Sequence, residues 1–78
     1  MNQYGVVLFH TTSAALRAEK VLQANKVPVK LIPTPRELSS DCGVALRFDR
    51  EQTQTVQTIL QDTGVDVAGI HELDQHHS

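Results

Sequence analysis

The sequence predicts a small α+β domain in the order β-α-β-β-α-β, and three observations carry that reading. Short β-branched or aromatic runs stand at residues 4–9, 27–32, 42–48 and 65–72. Two stretches between them, residues 13–25 and 50–63, place their apolar residues at helical spacing instead. Polar, proline or glycine residues punctuate the junctions.

Each element follows in turn. YGVVLF, residues 4–9, ends in the polar cluster His10-Thr11-Thr12-Ser13 and reads as a strand. In SAALRAEKVLQAN, Ala14, Ala18, Val21 and Leu22, with Ala15, share a helical face. Thr12 or Ser13 is the expected N-cap, and Asn25 with Pro28 marks the exit. VPVKLI alternates enough for a strand, and Pro28 places it at a sheet edge or at the strand's start.

After a loop, CGVALRF sets Cys42, Val44, Leu46 and Phe48 on one face against Gly43, Ala45 and Arg47. That alternation is a half-buried strand. Asp49 with Gln52 resembles a capping box. The helix behind it carries Val56, Ile59, Leu60 and Thr63 on one stripe, and Gly64 suits the left-handed position after it. VDVAGIHE, interrupted by Gly69, is the last strand, and LDQHHS is expected to fray.

This order is that of the ferredoxin-like split βαβ arrangement. The expectation is a two-layer sandwich of two helices on a four-stranded antiparallel sheet, in spatial order 4-1-3-2. It comprises one domain over residues 1–73 and a disordered tail over 74–78. The sheet face away from the helices is expected to present some of Val7, Phe9, Ala45 and Arg47.

Composition narrows the function. A chain of 78 residues has room for one core, and domains of this size bury only about 60% of their unfolded surface. The formal charge is −2, and the aromatics are only Tyr4, Phe9 and Phe48. Neither the clustered cations that neutralise phosphates nor the stacking platforms for single-stranded bases are present, which argues against nucleic acid as a partner. No run approaches the ~18 to 20 apolar residues of a membrane span. MNQYGVVLF lacks the basic region of a secretion signal. A single cysteine forms no internal disulfide and fits a reducing, cytoplasmic setting.

That cysteine closes the most distinctive stretch, LIPTPRELSSDCG, residues 31–43. Joining the second and third strands needs only ~2 to 5 residues, yet residues 33–41 intervene. Pro33 and Pro35 fix two φ angles and lower the entropy cost of holding one loop shape. The topology sets the start of strand 3 at the edge where strand 1 ends, so Cys42 is expected beside His10-Thr11-Thr12-Ser13 and the first helix's N-terminus. Unpaired N–H groups and the helix dipole there favour a thiolate. Arg36 and Lys30 add positive charge, and Asp41 opposes them. Two readings of Cys42 stand: a presented, reactive thiol, or a small buried hydrophobe.

The loop, together with FHTTSAALRAEKVL, resembles a small bacterial family of unknown biochemistry described as putative selenium/sulfur carrier-like proteins. The likeness covers nearly the whole chain, and its specific part is the stretch from Ile32 to Gly43. It implies that Cys42 holds sulfur or selenium as a persulfide or perselenide and hands it on. Pro33, Pro35, Arg36, Ser39, Ser40, Asp41 and Gly43 form the supporting loop. Donor and acceptor proteins are the implied partners.

The alternative function is a non-catalytic ligand-sensing or homodimeric module, with Cys42 simply packed and the loop acting as a lid. No paired acid and base supports turnover, so a carrier or binding module is expected rather than an enzyme. No cofactor is expected. The tail cluster His71, Glu72, Asp74, His76 and His77 lacks a recognised metal-ligand spacing, and His10 with one Cys supplies too few ligands, so no metal site is expected.

Overall fold

A computed structural model describes residues 3–35, 38 and 43–74. The element order is β1 (Gln3–Leu8), α1 (Thr12–Ala24), β2 (Val29–Pro33), β3 (Val44–Asp49), a 3-10 turn (Arg50–Gln52), α2 (Thr53–Thr63) and β4 (Gly69–Asp74). The four strands form one antiparallel sheet in the order β2-β3-β1-β4, which from the other edge reads 4-1-3-2.

Both helices pack on one face of the sheet. Ala15, Ala18 and Leu22 of α1 and Val56 and Leu60 of α2 are buried there with Val7, Phe9, Leu46 and Phe48. Alanines at two of the three buried α1 positions let that helix lie close to the strands. The other face carries a second, smaller cluster of Val6, Leu8 and Ala45, with Tyr4, Ile32 and Leu38 packed against it.

Strand alternation assigns these faces and narrows one expectation. Val7 pairs with Leu46 and points with it toward the helices, as does Phe9, and both are fully buried. The helix-free face therefore presents Ala45 and Arg47 but neither Val7 nor Phe9. A residue in a strand cannot change face without a register slip.

The helix ends also depart from expectation. Thr11, one residue ahead of the expected cap, accepts the Ala14 N–H on its hydroxyl at 3.1 Å. Asp49 makes no side-chain cap bond; a 3-10 turn intervenes before α2. The Thr53 hydroxyl lies 2.7 Å from the Arg50 carbonyl and 3.0 Å from the Glu72 carboxylate, and donates to one at a time. Thr63 is exposed rather than part of the buried stripe, its hydroxyl donating to the Ile59 carbonyl at 2.8 Å.

Each helix closes with the same pair of bonds. Lys26 N–H donates to Gln23 and Val27 N–H to Leu22; Gly64 N–H donates to Gln61 and Val65 N–H to Leu60. This is the Schellman motif, whose turning residue takes a left-handed conformation. Lys26 has φ 62 and Gly64 has φ 70. Val27 and Val65 drop into the core beside Leu22 and Leu60, fixing where the chain leaves each helix.

Candidate functional site: the β2–β3 loop and its edge

The loop leaves β2 at Pro33 and enters β3 at Val44, which pair with each other in the ladder. Its base is closed by one further bond, from the Thr34 N–H to the Gly43 carbonyl at 3.1 Å. Within it, the Leu38 N–H donates to the Pro35 carbonyl at 3.0 Å. The Leu38 side chain packs on the Val6, Leu8 and Ala45 cluster. An apolar residue amid a polar loop thus fastens the loop to the helix-free face of the sheet.

β3 begins at Val44 rather than at Cys42, and Gly43 forms a bend ahead of it. Cys42, Arg36, Ser39, Ser40 and Asp41 lie outside the described residues, whereas Pro33, Pro35 and Gly43 lie within them. Gly43 is exposed, and a Cβ built on it meets no atom of the described residues within 4 Å.

The neighbouring edge is arranged as the topology requires. Ala45, the second residue of β3, pairs with Leu8, the last of β1, so the loop exit and the turn into α1 share one edge of the sheet. His10, Thr11, Thr12 and Ser13 are all exposed there. Thr11 binds the Ala14 N–H through its hydroxyl and the Ala15 N–H, at 3.3 Å, through its carbonyl. Lys30 does not join this edge. It sits three residues back along β2, opposite Arg47, on the helix-free face.

The family model described as "Putative Se/S carrier protein-like" matches residues 4–72, a span that includes the whole loop and its cysteine. The chain belongs to this Se/S carrier-like family. Its matched span runs from the second residue of β1 to the middle of β4. No curated protein and no solved structure matches the chain.

Other features of this Se/S carrier-like chain lie apart from the loop residues. A groove of about 390 Å³ between α2 and β4 is lined by Gln57, Leu60, Gln61, Val67 and Ile70, none of them an expected site residue. Among the described residues, no three His, Cys, Asp or Glu side chains converge as metal ligands. His71 and Glu72 lie in β4, and Asp74 ends that strand; His76 and His77 lie outside the described residues. No described helix is long and apolar enough to cross a membrane.

The sequence reading missed the anchoring role of Leu38. The signal was present: Leu38 is the sole large apolar residue between Ile32 and Val44. An isolated leucine in a polar loop marks a contact back onto the body of the protein.

Proposed function

We propose that the chain is a carrier of sulfur or selenium, holding the atom on Cys42 as a persulfide or perselenide. The observation that carries this reading is the family match over residues 4–72, which encloses the only cysteine of the chain. The arrangement reads as a ferredoxin-like domain over residues 1–73, working in the cytoplasm. Donor and acceptor proteins exchange the atom with it.

The transfer step balances without an added oxidant. The Cys42 thiolate attacks the outer sulfur of a donor persulfide, R–S–S⁻. A new S–S bond forms, the donor's S–S bond breaks, and the donor leaves as a thiolate. Delivery is the same exchange run onto an acceptor thiolate. With selenium the donor is a perselenide, R–S–Se⁻, whose outer selenium is already at the zero-valent level: a new S–Se bond forms to Cys42, the donor's S–Se bond breaks, and the donor again leaves as a thiolate. The Cys42 sulfur gives up its thiolate charge on becoming the inner atom of the new bond. The charge then sits on the outer atom, so the donors needed after transfer are those that stabilise the terminal anion.

Ser13 N–H in the first turn of α1 and the Gly43 N–H are the proposed donors to that anion. Thr11 occupies the N–H groups of Ala14 and Ala15, which leaves the earlier Ser13 N–H as the proposed contact. Pro33 and Pro35 stiffen the loop, Leu38 fastens it, and a partner's thiol approaches over the exposed Gly43. Arg36, Ser39, Ser40 and Asp41 complete the loop in this reading.

Alkylation of the native protein tests access. The proposal expects Cys42 to react with a small haloacetamide in the folded state, at a rate within about tenfold of the unfolded chain. Protection that follows global unfolding would mean a packed cysteine and would remove the basis for a carrier.

A further inference from the structure

The helix-free face divides into two zones. At the loop end, Ile32, Ala45, Leu8 and Gly69 stand side by side across the four strands, under Leu38. One step along the strands, the cross-sheet row is Lys30, Arg47, Val6 and His71. Lys30, Arg47 and His71 are exposed.

Lys30 and Arg47 are direct cross-strand partners on one face, an arrangement that is destabilising for like charges. Their charges do not arise from general basicity, because the chain carries a formal charge of −2. Arg47 is held in place: its guanidinium carbon lies 4.4 Å from the centroid of the Tyr4 ring. Such stacking presents the planar cation while the outer N–H groups stay available for carboxylates. The two cations share a groove of about 220 Å³ with Pro28, Val29, Phe48 and Asp49, and Asp49 is the one acid among the described residues that line it.

We propose that this row is a docking surface for an acidic segment of a partner protein, with Asp or Glu side chains engaging Lys30 and Arg47. A lysine on an edge strand also discourages edge-to-edge sheet pairing. That role alone gives no reason for a second cation opposite it, fixed on an aromatic ring. Nucleic acid fits poorly, because two cations neutralise few phosphates and Arg47 occupies the one aromatic of the face. A segment with several carboxylates satisfies both cations at once, and does so on the same sheet face against which Leu38 packs. The surface stands whether or not Cys42 carries sulfur.

The test is a titration of the full-length, isotope-labelled protein with a hexaglutamate peptide at low ionic strength, followed by backbone amide shifts. The proposal expects shifts centred on residues 4, 30 and 47 that shrink as salt is raised. Lys30→Glu with Arg47→Glu should weaken binding about tenfold or more, whereas Arg47→Lys, which keeps the charge but loses the plane stacked on Tyr4, should weaken it by less. Unchanged amide shifts along β4 verify the fold of each variant, and Lys30→Glu alone serves if Arg47→Glu unfolds. Shifts centred elsewhere, or binding indifferent to these substitutions, would overturn the proposal. Tighter binding of a hexauridylate than of hexaglutamate would also overturn it, in favour of a nucleic-acid surface.

Discussion

The Phe48 ring of β3 lies directly across Gly5 of β1, its cross-strand partner, on the helix side of the sheet. A Cβ built on Gly5 would stand 2.4 Å from the Phe48 Cζ, well inside any real contact. Glycine inside a strand normally weakens it; here it makes room for the ring that closes the core between two central strands. Gly5→Ala must displace a ring that is 2% exposed. We expect a loss of about 1–3 kcal/mol, read as a lower denaturant midpoint with unchanged slope.

The two helix ends offer a matched pair of substitutions. Lys26 adopts the left-handed conformation that Gly64 adopts at the equivalent turn, and a side chain there costs energy that glycine does not. Lys26→Gly should stabilise the protein by about 0.5–1 kcal/mol after the added flexibility of the unfolded chain is counted. Gly64→Ala should destabilise it by about 1 kcal/mol. Thermal unfolding of the two variants beside the parent checks the opposite signs.

Thr11→Ala removes the hydroxyl that receives the Ala14 N–H. The expected cost is about 1 kcal/mol. Thr58→Ala serves as the control, since Thr58 is exposed in the body of α2, away from either helix end. Denaturant unfolding of both should show the larger loss at Thr11.

Leu38→Ala should act on the loop more than on the whole molecule. The half-buried Leu38 packs on the second cluster, so its truncation should cost about 1 kcal/mol or somewhat more in local stability. Amide exchange at Leu38 and Thr34 should accelerate, while exchange in α2 stays near that of the parent. Leu16→Ala, by contrast, changes a residue that is 46% exposed and should fall within about 0.5 kcal/mol of the parent.

Sequence reasoning succeeded where a period was long enough to read. The α1 face and the alternation of Val44, Leu46 and Phe48 both hold, and with them the βαββαβ element order and the strand order. Two strand starts were misplaced for one physical reason. Val27 and Val65 look like the first residues of β-branched runs, yet each is the apolar residue that closes a helix C-terminal motif. β2 and β4 consequently begin at Val29 and Gly69, and Gly69 opens its strand rather than interrupting it. The helix-free face, expected to hold some of Val7, Phe9, Ala45 and Arg47, holds Ala45 and Arg47; alternation within one strand does not give the register between β1 and β3 that decides between the two pairs. The loop's anchor was missed because a single contact leaves no periodicity.

The central claim concerns Cys42, and intact-mass analysis after incubation with a persulfide-bearing donor tests it most directly. The carrier reading predicts an adduct of one sulfur atom on the folded protein, removed by a mild thiol reductant and absent from Cys42→Ser. A parent protein that gains no such adduct, or a Cys42→Ser variant that gains it equally, would contradict the reading.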